Sequence, residues 1–266
     1  MPVAERTPLP VAERRSSSAA EATELCYGLR AALATFERRR QDIRSVAFEA
    51  GAQGELTPLL RWADERGLPV RERSARDLAT EADSNQHEGV LLQVRERSWV
   101  PAKELAAALL PERSLAVALD RVRNPQNIGA VLRSAAFFGA KAALLGAPAP
   151  HPGLSPFALR VAEGGAEHLL FSRTTDLADT LARLRSAGIH VIGADAHGTS
   201  SPEPLTIPGA TLLVLGHEVE GLSPRIRAQC DALVRIEGSG AVESLNVAVA
   251  AGVLLSDLSR ARRRLR

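Results

Sequence analysis

Three short stretches of this 266-residue chain gather amides, carboxylates, a guanidinium and flexible glycines. The first reads Asn124-Pro125-Gln126-Asn127-Ile128-Gly129 and continues through Val131 and Leu132 to Arg133. Ile128, Val131, Leu132, Ala135 and Ala136 recur as the buried stripe of a helix, and at about 100° per residue Arg133 falls off that stripe, free to face a groove or a second subunit. Asn127 stands where a helix cap belongs. The second stretch, Gly216-His217-Glu218-Val219-Glu220-Gly221, follows an apolar run and places Glu218 at its exit. The third runs from Ile236 through Glu237-Gly238-Ser239-Gly240 to Glu243-Ser244-Leu245-Asn246. Its glycines let backbone amides and carbonyls approach a ligand, while Ser244 reads as a cap and Glu243 as a helix-start charge beside the positive end of the dipole.

The motifs of other α/β chemistries are missing from the chain. Gly238-Ser239-Gly240 supplies two glycines of a dinucleotide turn but has Glu243 where the third belongs. A Gly-Lys-Ser/Thr phosphate loop, a Gly-x-Ser-x-Gly elbow and a second histidine after His217-Glu218 are all missing from the sequence. Phosphotransfer, serine hydrolysis and zinc catalysis lose ground accordingly. Cys26 and Cys230 lie too far apart in sequence to suggest a disulfide framework or a zinc spacing, so no metal is expected.

The elements that must hold these loops follow from periodicity. Residues 1–20, with Pro2, Pro8, Pro10 and a serine run, read as a mobile arm. Residues 21–99 read as a small α/β module: Leu25, Leu29, Leu33 and Phe36 at helical spacing, a short apolar piece at 45–48, a helix over 56–66, and strands at Val70 and 89–94. Residues 100–113 read as a linker. From 114 to 266 strands and helices alternate: strand 115–119, helix 127–138, strand 142–145, helix 155–162, strand 169–171, helix 175–187, strand 190–192, strand 212–215, helix 223–230, strand 233–236, and a last helix from Ser244. That alternation predicts a mostly parallel sheet with helices on both faces and ligands at the carboxyl ends of its strands, where all three stretches lie.

Composition sets the class. Hydrophobic residues at 45% and charged residues at 24% fit an ordinary globular protein, and no apolar run reaches the roughly 18 residues of a membrane span, so a cytoplasmic location is expected. A net charge of +2 does not by itself show nucleic-acid binding, and only Lys103 and Lys141 break an otherwise all-arginine basic set.

The three stretches, in this order and at these spacings, resemble the signature motifs of the SpoU-type (TrmH-like) RNA 2'-O-ribose methyltransferases of the SPOUT superfamily, over residues 114–266. Leu25-Cys26-Tyr27-Gly28 and Gln86-His87-Glu88-Gly89-Val90 look like parts of the small RNA substrate-binding domain that many members carry. Glu163-Gly164-Gly165-Ala166-Glu167 looks like a stretch of a bacterial tRNA/rRNA methyltransferase subgroup. The resemblance implies an α/β fold whose catalytic domain is tied in a trefoil knot, with a smaller ribosomal-protein-like domain in front. It also implies a homodimer that uses S-adenosylmethionine to methylate a ribose 2'-hydroxyl in tRNA or rRNA. By position it makes Asn127, Arg133, Glu218, Ser244 and Asn246 catalytic and puts Gly216, Ile236 and Leu245 at the cofactor. Asn124 departs from the usual Asp, His217 and Val219 from small residues, and Glu237-Gly238 from Pro-Met. The competing expectation is an RNA-binding or assembly factor that keeps the fold without transferring methyl groups. The run Arg260, Arg262, Arg263, Arg264 and Arg266 reads as a solvated helix end or an RNA phosphate contact.

Overall fold

The computed structural model describes residues 22–112, 114–147, 154–198 and 209–264. The expected arm lies outside them. In the front half, chain order is β1 (Thr23–Tyr27), α1 (Leu29–Arg39), β2 (Ile43–Phe48), α2 (Gln53–Glu65), β3 (Val70–Glu72), α3 (Ala75–Ala82) and β4 (Val90–Arg95). These strands form one sheet in the order β1-β4-β2-β3, antiparallel except for the β2–β3 pair. Successive residues of β4 serve opposite faces: Val90, Leu92 and Val94 pack with Leu56 and Leu59 of α2, while Leu91 meets Tyr27 and Leu78. Leu25, expected to open a helix, is in β1. Its four-residue spacing to Leu29 matches a helix by accident, because Gly28 between them takes φ +92°, which no helix admits.

The second half continues with α4 (Ala102–Leu109), β5 (Leu115–Asp120), α5 (Pro125–Phe137), β6 (Ala140–Gly146), α6 (Pro156–Val161), β7 (Leu170–Thr174), α7 (Leu177–Ser186), β8 (His190–Ala194), β9 (Thr211–Leu215), α8 (Pro224–Arg227), β10 (Ala232–Val234) and α9 (Val247–Arg264). Its six strands pair in parallel, in the order β10-β8-β9-β5-β6-β7. Strand β5 is buried along its whole length, which is why it reads as a continuous apolar run rather than an alternating one. Leu115, Val117 and Leu119 pack with α5 and α9; Ala116 and Ala118 pack with α4 and α7 on the opposite face. The segment expected as a linker therefore carries α4, whose buried Leu105 and Leu109 help to cover the second sheet.

The strand order brings the first two loops together. Leu119 pairs with Leu215, so the chain leaves β5 and β9 side by side at the carboxyl edge of the sheet. Strand β10 lies two places beyond β9, and the chain must pass back across that edge before α9 packs on α5. Front and rear halves meet through charge: buried Arg97 donates to Glu24 of β1 at 2.9 Å and to Glu167, just after α6, at 3.0 Å. Arg39 of α1 pairs with the same two carboxylates. Among the described residues no helix is long and apolar enough to cross a membrane.

Candidate active site

Asn127 does not cap its helix. Asn124 does, its side-chain oxygen accepting from the Gln126 amide at 2.9 Å, and Pro125 occupies the first helical position, where its missing N–H costs nothing. The helix thus starts two residues before the expected Asn127, and Asn127 is left in the first turn with its side chain turned inward, only 7% exposed. The final helix is shifted in the opposite sense. It begins at Val247, and Asn246 rather than Ser244 holds the cap, accepting from the Ala248 amide at 2.8 Å.

In these positions Asn127 and Asn246 complete one hydrogen-bonded chain across all three loops. Asn127 Nδ2 donates to Glu218 Oε1 at 3.0 Å, and Asn246 Nδ2 donates to Asn127 Oδ1 at 3.1 Å. Both ends dictate the direction. An ionised carboxylate only accepts, so Asn127 must offer its NH2 to Glu218, and its oxygen then faces Asn246. The Ala248 amide fixes Asn246 from the other side by claiming its oxygen. Neither amide can flip without setting like groups against each other, and Glu218 keeps its second oxygen for another partner.

Arg121 pins the first loop to the second. It stands at φ +58°, unusual for a residue with a side chain. Its guanidinium takes both Asp120 oxygens at 3.2 Å, Glu220 and the Gly221 carbonyl. Asp120, and then Glu220, hold Arg121 above the usual arginine range, while Arg121 holds the Glu220 carboxyl below its ordinary value. This clamp was missed in the sequence, where Arg121 and Glu220 look like any solvated charges. A second staple is internal to the loop: His217 Nδ1 accepts from the Val219 and Glu220 amides at 3.3 Å.

Of the positions assigned to the cofactor, Gly216 fills a place no other residue fits, since a Cβ there would lie 2.4 Å from the Gly221 carbonyl carbon and 2.6 Å from the Leu222 nitrogen. Ile236 is half-buried against the main core, and Leu245 is exposed. Val219 and Val242 are exposed too, so apolar side chains from the second and third loops face outward around an edge rich in backbone polar groups. Residues 235–246 form no helix or strand. Ser244 and Glu243 stand exposed in this loop, outside the hydrogen-bonded chain.

Arg133 is not brought to the cluster. Six residues beyond Asn127 on α5, it lies about 9 Å along the axis and about 240° around it, 58% exposed, with its guanidinium 2.9 Å from Glu163. Of the C-terminal arginine run, Arg260 pairs with Asp257, Arg263 is exposed, and Arg266 lies outside the described residues.

A family model described as "SpoU rRNA Methylase family" matches residues 114–256, and one described as "RNA 2'-O ribose methyltransferase substrate binding" matches residues 25–100. An uncharacterized tRNA/rRNA methyltransferase of Mycolicibacterium smegmatis is 32% identical over 94% of this chain and 81% of its own. Among solved structures, the SpoU methyltransferase AviRb of Streptomyces viridochromogenes is similar with a TM-score of 0.74 at 28% identity, covering 92% of this chain and 91% of that one. The same enzyme in complex with the cofactor AdoMet gives a TM-score of 0.71 at 26% identity, covering 91% of each chain.

Proposed function

The chain belongs to the SpoU rRNA methylase family, and from that premise we propose that it moves a methyl group from S-adenosylmethionine to a ribose 2'-hydroxyl of tRNA or rRNA. It is an RNA methyltransferase and its cofactor is S-adenosylmethionine. The observation that carries the finer reading is the chain from Glu218 through Asn127 to Asn246, which ties three sequence-distant loops into one polar cluster at the edge where a parallel sheet binds its ligands.

When bound, the cofactor supplies an already activated methyl group on a positively charged sulfur. What remains for the protein is to bring the oxygen into line and to ease loss of its proton. Gly216, Ile236 and Leu245 hold the cofactor, mostly through main chain. Asn127 and Asn246, locked by their neighbours, orient the ribose, with Ser244 reaching it from the exposed loop. A guanidinium is a poor base and a good forked donor to anions, so we assign Arg133 to grip the adjoining phosphate and stabilise the developing alkoxide.

Arg133 reaches this site from a second copy of the chain. Its distance from Asn127 on the same helix favours that arrangement, and so does the surface around it. Phe137, four residues on along the same face of α5, is 82% exposed, and Val249 and Val253 are exposed on the adjoining α9. The second oxygen of Glu218 is then available to the incoming guanidinium. We also infer that the last segment threads a trefoil knot and that the front half is a ribosomal-protein-like RNA grip. What favours the knot is the return of the chain from edge strand β10 across the sheet to pack α9 on α5.

Labelled methyl transfer to RNA tests the reaction. A methyl on O2' blocks attack of that oxygen on the neighbouring phosphate, so alkaline digestion should leave the label in dinucleotides; label recovered on the base of single nucleotides refutes the assignment. Mixing Arg133→Ala and Asn127→Ala chains tests the dimer. Each mixed pair regains one intact site, and random exchange should restore about a quarter of the normal activity; no recovery refutes sharing.

A further inference from the structure

Glu163 stands where the front half meets the helix that carries Arg133. Its Oε1 lies 2.9 Å from the Arg133 guanidinium and its Oε2 lies 3.6 Å from Arg30 of α1. The backbone beneath it is strained: Glu163 takes φ +45°, a region that side chains rarely adopt, and Gly164 follows at +84°. The turn is wedged from both sides. A Cβ on Gly164 would lie 2.5 Å from Ala34 Cβ and 3.1 Å from the Arg30 carbonyl, whereas one on Gly165 would lie 3.1 Å from the Arg133 Cα. The Glu163-Gly164-Gly165 turn is thus a spacer with α1 against one glycine and α5 against the next.

We propose that Glu163 is a positioning residue for Arg133, holding one edge of its guanidinium and leaving the other edge directed outward. The inference rests on the role assigned to Arg133 above. A long side chain more than half exposed samples many rotamers, and each must be given up when its guanidinium closes on the alkoxide developing in the transition state. A carboxylate anchored by a rigid turn removes much of that freedom beforehand. It would also repel the phosphate, and Arg30 offsets this: Arg30, Glu163 and Arg133 together carry a net charge of +1, so the attraction survives. The front half thereby touches the reacting centre through one shared carboxylate.

Glu163→Gly is the informative variant in the full chain, because glycine accepts φ +45° without strain. It removes the carboxylate while relieving the backbone, so thermal stability should hold or rise as kcat falls by about fivefold, the scale of a partly exposed ion pair. KM for RNA and Kd for S-adenosylmethionine should stay within about twofold. Glu163→Gln keeps an acceptor at the same place and should recover most of the rate. An unchanged or increased kcat in Glu163→Gly overturns the proposal, as does an equal loss in the glutamine variant. Arg133→Ala separates the two layers. Full transfer in that variant refutes the role of Arg133 and this proposal with it; an inactive Arg133→Ala beside a fully active Glu163→Gly refutes the positioning role alone.

Discussion

Replacing Asn127 with aspartate changes one NH2 to an oxygen with almost no change in shape, and the structure sets the scale of the damage. The donor 3.0 Å from Glu218 Oε1 becomes an acceptor, so two carboxylates face each other across that distance. At an effective dielectric of about 20 their repulsion is about 5 kcal/mol. The site escapes by binding a proton, and at pH 8 protonating an ordinary aspartate also costs about 5 kcal/mol. Rotation of the half-exposed Glu218 relieves part of the repulsion, or its nearby charge makes the proton easier to bind, leaving about 3 kcal/mol, or about a hundredfold in kcat/KM. The proton route becomes cheaper by about 1.4 kcal/mol per pH unit, so the variant should regain activity as pH falls from about 8 to about 6. Asn127→Ala has no proton to bind and should lose activity without that recovery. Rates measured across this range at saturating cofactor decide the matter. Wild-type activity of Asn127→Asp at pH 8, or a loss that does not ease at lower pH, would refute the hydrogen-bonded chain as the organiser of the site.

Gly216→Ala should weaken S-adenosylmethionine binding by more than about tenfold, because its Cβ meets main-chain atoms that cannot step aside; unchanged affinity by calorimetry would remove this turn from the cofactor site. Arg97→Ala strands the largely buried carboxylates of Glu24 and Glu167 and, moderated by Arg39, should cost about 3 kcal/mol and lower Tm by about 6–12 °C; a shift of a degree or two would show that the junction contributes little. Burial pushes the Cys26 thiol up to about 12 from 9.0. A raised folded value gives stability that is complete below the unfolded value and lost above it, so wild type should lose about 2 kcal/mol near pH 10.5 that Cys26→Ala does not; matching alkaline profiles of the two proteins would contradict a buried neutral thiol.

The sheet of the rear half was legible because its strands are buried on both faces and its helices alternate with them. Helix ends were harder. Two asparagines three residues apart both suit a cap, and Pro125 at the first helical position was the available signal in favour of Asn124. Helix α4 was hidden by flanking prolines and an alanine-rich sequence that reads as connector until the sheet it covers is known. At the site, the family motifs named Asn127, Glu218 and Asn246, and the structure joins them, while it leaves Arg133 apart and Ser244 exposed. Glu163 and the Arg121–Glu220 clamp were illegible for a different reason: their partners are 30 and 99 residues away, and separation in sequence erases any pattern that would mark a charge as paired.

The ion pairs around Arg97 have a bearing on how RNA is chosen. With the two halves joined by these ion pairs, an RNA held at the front, as proposed, would meet the reacting edge with a fixed offset, like stock set against a stop. An RNA with one extra base step between grip and target would present the wrong nucleotide, and selection would rest on length and shape before any base is read.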